Sequence, residues 1–203
     1  MNQVQHFENV IKYFYGARYA VAVDCCTHAI ELCLRLSQPV AVTCPNHTYL
    51  SVPMTFKKLN LQWSFYDTYW KDYYYIGNTN IIDAAVYWKR EGYIPNTLMC
   101  LSFQFKKHLN VGRGGMILLD NQEQYEILKK MRYDGRDTGL DAAPWAEQDV
   151  DTMGYHYYMT PETAALGLER FKLAEVTEPR DWSWRDYPDL KTIKVFNDNI
   201  YVR

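Results

Sequence analysis

The sequence has no apolar run that approaches the ~20 residues needed to cross a bilayer, so we do not expect a membrane protein. Positive charge is not in excess either, because 22 Lys and Arg stand against 24 Asp and Glu. A net charge of −2 argues against a surface built to bind nucleic acid. The start, MNQVQHFENV, is too polar for a signal peptide. We therefore expect a cytoplasmic protein.

Cysteines are few, and their spacing has no pattern. The five cysteines form no CxxC pair and no sequence cluster with histidine, so we predict no metal site. An odd number without a repeating spacing indicates reduced thiols, as in a cytoplasm-like compartment. Aromatic residues are abundant, at 16% with 18 tyrosines, in an otherwise ordinary globular composition. At 203 residues, the chain can form one sizeable domain.

Short apolar segments alternate with helical patterns along the chain. Buried strands alternating with helices predict an α/β domain with a mostly parallel sheet flanked by helices. The segment 181–203 is weakly patterned and is expected to be an arm or a small strand pair. The predicted strands are 18–24, 39–44, 60–66, 80–85, 97–103 and 114–120, and the predicted helices are 2–15, 28–36, 49–58, 121–132 and one that begins at Thr160 and Pro161.

Polar and reactive residues follow several of these strands. In such a sheet, ligands bind at the carboxyl ends of the strands. Cys25, Cys26 and Thr27 lie between a strand and a helix start, where free backbone N–H groups and the helix dipole favour a phosphate. Asp83 ends another strand among apolar neighbours, so its charge requires a partner. Ser102 ends a third.

Two lysines and a glycine cluster follow Ser102 in SFQFKKHLNVGRGG. The glycines at 112, 114 and 115 are expected to let the backbone approach a ligand closely. A lysine, an acid and a phosphate-binding helix start in one pocket fit pyridoxal phosphate, which has an aldehyde, a ring nitrogen and a phosphate. Taken alone, each feature has a simpler explanation: a surface lysine, a turn at Asp83, an N-cap at Thr27 and a tight glycine turn.

Six segments resemble, in order, those of the DegT-type sugar aminotransferases, which are fold type I pyridoxal phosphate enzymes. The matches run from about residue 7 to 171. The most specific is SFQFKKHLNVGRGGMIL, which resembles the family's Ser-Phe-x-x-x-Lys-x-x-x-x-Gly-x-Gly-Gly motif. The other segments are YGARYAVAVDCCTHAIELCL, PNHTYLSVP, IIDAA, MRYDGRD and GYHYYMTPETAALGLERF.

This resemblance implies a role for the reactive residues. Lys107, rather than Lys106, stands at the position of the family's lysine and would form the internal aldimine with pyridoxal phosphate, then move the proton. A partly desolvated site would lower its pKa and free the amine for that work. Asp83 would keep the pyridine nitrogen protonated.

The resemblance also implies the residues that hold the cofactor in place. Ser102 and Thr27, with the backbone N–H groups of Cys26 and Thr27, would bind the phosphate. Tyr49 would stack on the ring, a role that suits a flat side chain. His156 stands where the family has an asparagine that reaches the phosphate across a dimer interface.

The chain also departs from the family pattern. Against that pattern we expect a shortened version, with fewer residues between 67 and 80, without the leading segment and without most of the C-terminal small domain. We expect residues 1–175 to form the transferase-like large domain and 176–203 a tail or remnant small domain. Five motif positions are replaced: Cys25 and Cys26 stand for Ser-Gly, Ile82 for Glu, Val86 for Gln or His, and Tyr158 for Arg.

The resemblance implies a homodimeric aminotransferase that moves an amino group from an amino acid, glutamate by analogy, to a keto-sugar nucleotide. Two alternatives remain open at this point. The first is a pyridoxal phosphate-dependent sugar dehydratase or epimerase, and the second is a cofactor-binding or interaction module without turnover.

Overall fold

The computed structural model describes residues 2–139 and 142–197. Within these residues, five strands form one sheet in the order β1-β7-β6-β5-β4, and β2 pairs separately with β3. The strands are β1 (Tyr19–Val23), β2 (Ala41–Pro45), β3 (Gln62–Tyr66), β4 (Tyr74–Tyr75), β5 (Ile81–Asp83), β6 (Leu98–Ser102) and β7 (Gly115–Leu119). The helices are α1 (Gln3–Tyr15), α2 (Cys26–Ser37), α3 (Ser51–Lys58), α4 (Gln122–Met131), α5 (Pro161–Ala174) and α6 (Lys194–Asn197).

The larger sheet is mixed, which corrects the prediction of a mostly parallel sheet. Within the described residues, β5–β6 is its single parallel pair, and β7 runs antiparallel to both β1 and β6. The connection between β6 and β7 contains no helix that could cross over the sheet, so the chain turns back on itself. Because β1, β5 and β6 still run in one direction, their carboxyl ends meet at one edge.

Helices cover both faces of this sheet, as predicted for an α/β domain. Alternation along β1 divides the core: Val21 and Val23 face the cluster that contains α2 and α4, while Ala20 and Ala22 face the cluster that contains α1 and α5. The α/β architecture expected from the sequence is therefore confirmed. None of the described helices has the length and apolar content that a membrane crossing requires.

Several helix ends follow from single residues. The side chains of Asn2, Asn121 and Thr160 each accept a hydrogen bond from a backbone N–H in the first turn of α1, α4 and α5. Gly16 ends α1 with a φ of 74°, in the left-handed region that glycine adopts without strain. These helices begin within one residue of the sequence prediction, and α1 and α4 also end within one residue of it.

The C-terminal segment (residues 180–193) packs against the loops that surround β2 and β4. Backbone hydrogen bonds join Asp72 N to the carbonyl of Trp182 at 3.1 Å and Trp184 N to the carbonyl of Trp70 at 3.1 Å. In the described part of the tail, 3-10 turns at Trp184–Asp186 and Leu190–Thr192 replace the strand pair considered from the sequence. Residues 198–203 lie outside the described structure.

Candidate active site

A cavity of about 1070 Å³ opens at the carboxyl ends of β1, β5 and β6. Its walls come from these strand ends, from the start of α3 and from the C-terminal segment. Six of the seven residues singled out from the sequence line it: Cys26, Thr27, Tyr49, Asp83, Ser102 and Lys107.

Two helix starts meet at one side of this cavity. Neither α2, which begins at Cys26, nor α3, which begins at Ser51, has a side-chain cap on its first turn. The hydroxyls of Thr27 and Ser51 are 2.8 Å apart and join the two starts. Thr27 therefore lies inside the first turn of α2 and is not its N-cap, a position that Cys25 occupies. Uncapped N–H groups and the helix dipole make this side suitable for an anion.

Gly115 explains why β7 can lie so close to the start of α2. A Cβ at this residue would stand 2.4 Å from the carbonyl carbon of Cys25 and 2.5 Å from the backbone nitrogen of Cys26. The expectation that this glycine makes room for a ligand is thus corrected, since its neighbour is the chain's own backbone. Gly112, by contrast, lines the cavity with a φ of +83° and has nothing near its missing Cβ.

Asp83 is a buried carboxylate with protein donors on both oxygens. The Tyr74 hydroxyl donates to Oδ2 at 2.5 Å, and the backbone N–H of Ala85 donates to Oδ1 at 3.0 Å. Burial raises the pKa of Asp83 above its usual value, while these hydrogen bonds and the charge of Lys107 act in the opposite direction. Each oxygen keeps a further lone pair that a ligand donor can use.

Lys107 is the half-buried member of the lysine pair, and Lys106 is exposed. A turn after β6, in which Lys107 N bonds to the carbonyl of Gln104 at 2.8 Å, brings the side chain into the cavity. Its Nζ lies 5.3 Å from the ring centre of Trp182. Burial lowers the pKa of Lys107 below its usual value, although the Asp83 charge opposes this change.

The other predicted residues differ in their surroundings. Ser102 is half-buried at the end of β6, and Tyr49 reaches the cavity while 55% of it stays exposed. His156 does not line the cavity. Its Nδ1 lies 3.0 Å from a carboxylate oxygen of Asp134, and the side chain is exposed.

Two contributors to the cavity were not predicted from the sequence. Tyr74 belongs to a strand of two residues, which is too short to produce a periodic pattern. The C-terminal segment supplies Arg180, Trp182 and Tyr187, and the Arg180 guanidinium stacks 4.1 Å from the centre of the Trp182 ring. The high aromatic content was the one signal that pointed toward these residues.

An ion-pair cluster that the sequence spacing did not reveal lies beside the start of α2. Potential metal-ligand atoms of Asp24, Cys25 and His28 lie within 4.8 Å of one another. However, the two Asp24 oxygens are already paired, one with His28 Nδ1 at 2.6 Å and the other with Arg113 at 2.7 Å. Burial acts to lower the pKa of His28, but hydrogen bonds to Asp24 and Cys25 outweigh it and raise that pKa to about 9. The protonated His28 and the Arg113 guanidinium therefore occupy the Asp24 oxygens that a metal ion would need.

Residues 1–95 and 89–190 match the model of the DegT/DnrJ/EryC1/StrS aminotransferase family. The chain belongs to this family. The resemblance read from the motifs is therefore confirmed. The curated relative MJ1066 of Methanocaldococcus jannaschii, an uncharacterized protein, is 33% identical over 97 residues, which are 45% of this chain and 25% of that protein.

Solved structures of other proteins share the fold of this chain. AtS13 from Actinomadura melliaura aligns with a TM-score of 0.75 at 20% identity, over 85% of this chain and 60% of that one. PseC from Helicobacter pylori, an aminotransferase involved in pseudoaminic acid biosynthesis, aligns with a TM-score of 0.68 at 14% identity, over 86% and 58% of the two chains. The predicted fold type I architecture is thus confirmed. The chain spans about 60% of the length of these structures.

Proposed function

We propose that this protein is a pyridoxal phosphate-dependent aminotransferase that moves an amino group from an amino acid, glutamate in our proposal, to a keto-sugar nucleotide. Family membership supports the reaction class. The observation that carries the proposal is the shared cavity, in which a half-buried lysine, a buried carboxylate and two uncapped helix starts face one space. Residues 1–175 would be the catalytic domain, with 176–203 as its tail.

The donor set fits pyridoxal phosphate. The starts of α2 and α3, with the hydroxyls of Thr27, Ser51 and Ser102, would hold the phosphate. Asp83 would accept the hydrogen bond of the ring N–H, and Tyr49 would cover a face of the ring. When bound, this cofactor supplies an electron-accepting ring and an aldehyde carbon that can take up the amino group.

Lys107 would act as nucleophile and as proton carrier. Both roles require a neutral amine for part of the time, and burial of this side chain favours the neutral form. Trp182 lies over the Lys107 amine, where its ring would limit the access of water. Asp83 would act at the ring of the cofactor, since its negative charge would stabilise a protonated ring nitrogen.

The position of His108 favours transamination over dehydration. Relatives that dehydrate sugars tend to carry histidine in place of the reactive lysine, whereas this chain keeps the lysine. His108, the next residue, bonds through Nε2 to the carbonyl of Ala174 at 2.8 Å and does not line the main cavity. If His108 took over the function of the lysine, its side chain would first have to break the hydrogen bond to Ala174.

We further propose that the protein works as a homodimer in a reducing, cytoplasm-like compartment. All five cysteines are free thiols, which supports such a compartment. Tyr49, Leu50 and Phe105 are apolar residues at the cavity that remain exposed, so a second copy would bury them. His156 would then act on the partner's site. Sedimentation equilibrium tests the dimer, and a monomer at micromolar concentration would contradict it.

The function is tested by reconstituting the purified protein with pyridoxal phosphate. We expect a visible absorption band, retained in Lys106→Ala and lost in Lys107→Ala. Reduction with borohydride should attach the cofactor permanently, and peptide mapping should locate it on Lys107. Conversion of the bound cofactor to pyridoxamine phosphate by glutamate alone would distinguish transamination from dehydration, epimerisation and simple binding. Absence of any cofactor band in the wild type would overturn the proposal.

A further inference from the structure

Tyr74 makes the shortest contact to the buried carboxylate of the cavity. β4 pairs with β5 so that Tyr74 stands opposite Asp83 in the register. Its hydroxyl lies 2.5 Å from Asp83 Oδ2 and 2.5 Å from the hydroxyl oxygen of Thr48. All three residues are buried and line the same cavity.

The direction of these hydrogen bonds follows from the number of protons. An ionised carboxylate can only accept, and a phenol has a single proton to donate. Burial and the neighbouring Asp83 raise the pKa of Tyr74 well above its usual value, so the phenol keeps its proton. Tyr74 therefore donates to Asp83 and accepts from Thr48. The result is a directed chain, Thr48 to Tyr74 to Asp83, that ends on the carboxylate.

No other side chain donates to Asp83 among the described contacts. The second donor is the backbone N–H of Ala85, on the other oxygen. Val86, three positions after Asp83, lines the cavity, and its side chain has no polar atom. Of the titratable groups that act on the carboxylate, Lys107 is the charged one. Burial keeps the others neutral by raising their pKa values: Cys26, Cys44, Cys100 and Tyr187.

We propose that Tyr74 is a positioning residue, which orients Asp83 and keeps it ionised so that it can hold the protonated ring nitrogen of the cofactor. This inference rests on the proposed function for the identity of the ligand. The orientation of Asp83 itself does not depend on it. Tyr74 lies in the segment 67–80, which contains none of the six segments that resemble the family, so no family motif assigns this role.

Removal of the Tyr74 hydroxyl leaves a buried carboxylate with one donor fewer. A hydrogen bond to a charged group contributes enough to shift the Asp83 titration upward by roughly one to two pH units. A carboxylate that protonates more readily binds the ring N–H less well. We therefore expect the dissociation constant of pyridoxal phosphate to rise roughly tenfold or more in Tyr74→Phe.

The matched control is Tyr73→Phe. Tyr73 is the neighbouring residue, and its ring packs against Tyr75 and Tyr87, away from Asp83. Thr48→Val is the second variant, because it removes the outer donor and leaves Tyr74 in place. Carbon-13 NMR follows the Asp83 carboxyl in the cofactor-free protein, with Asp83→Asn to assign the signal, and fluorescence titration measures the affinity for pyridoxal phosphate.

Tyr74→Phe should raise the Asp83 midpoint, Thr48→Val should raise it less, and Tyr73→Phe should leave it unchanged. If Tyr74→Phe does not fold, an upward shift of the Asp83 midpoint in Thr48→Val still supports the hydrogen-bonded series from Thr48 to Asp83. An unchanged midpoint in Thr48→Val then overturns the inference. An Asp83 titration in Tyr74→Phe identical to that of the control overturns the inference whatever the cofactor does. A raised midpoint in a protein that never binds pyridoxal phosphate supports the Tyr74–Asp83 relation and overturns the proposed function.

Discussion

Substitution of Gly115 by alanine tests how closely β7 and the start of α2 must approach each other. The added Cβ would stand 2.4 Å from the Cys25 carbonyl carbon, about 1 Å inside ordinary van der Waals contact. The atoms that it would meet are backbone atoms of Cys25 and Cys26 at the start of α2, and Gly115 itself lies in the buried strand β7, so neither side can rotate away. Overpacking of this kind costs about 3 kcal/mol. For a chain of this size, that corresponds to a fall of about 6–12 °C in melting temperature.

Gly112→Ala is the matched control within the same glycine cluster. Nothing lies within 4 Å of its missing Cβ, and the cost comes from the positive φ of +83° alone. We expect a loss of about 1–2 kcal/mol. Urea unfolding monitored by circular dichroism measures both variants. If Gly115→Ala loses no more stability than Gly112→Ala, then the close contact is not what requires glycine at position 115, and the reasoning fails.

Two further predictions concern ion pairs. Glu8 and Arg132 form a buried pair, and both contact the backbone of Ala22. Glu8→Gln should therefore cost about 3–5 kcal/mol in urea unfolding, whereas Glu126→Gln, at a surface pair, should change stability by less than about 0.5 kcal/mol; equal effects would contradict the buried pair. His28 should titrate near pH 9 by NMR, because its pKa is raised to about 9 in the folded protein. Its contribution to stability is then complete below about pH 6.5, the ordinary pKa, and is lost as the pH rises toward about 9. His28→Gln should remove that loss, and a midpoint near 6.5 in the wild type would show that the imidazole is not held by its carboxylate.

Local signals in the sequence predicted the helices well. The caps at Asn121 and Thr160 depend on hydrogen bonds to backbone groups three residues away, so the residue type and its position are sufficient. The buried face of α5 follows less directly from local signals. Ala165 is exposed, whereas Gly167 is buried, and a Cβ on Gly167 would stand 2.7 Å from the Phe7 ring. That face depends on how α1 packs, which lies far away in the sequence.

The direction of the strands could not be predicted from their composition. An apolar segment such as β7 has the same pattern in a parallel and in an antiparallel pair, and the length and content of the connection decide between them.

The residues at the cavity could be predicted from the sequence for a simpler reason. Asp83 and Ser102 end strands, and strand ends that share a direction meet whatever lies between them. The residues of the C-terminal segment had no such signal, because an aperiodic segment takes its position from the surface that it covers.

The register of β1 with β7 also determines when this protein can fold. Tyr19 pairs with Leu119 and Val23 with Gly115, so the partner of β1 is made almost a hundred residues later. At ~5–20 residues per second, a ribosome needs several seconds to supply it. Until then the strand YAVAV, whose side chains are almost all buried in the native sheet, has no partner on the edge that β7 later occupies. Nascent chains that end before residue 115 should therefore depend on chaperones, and the late arrival of β7 would complete the sheet in one step.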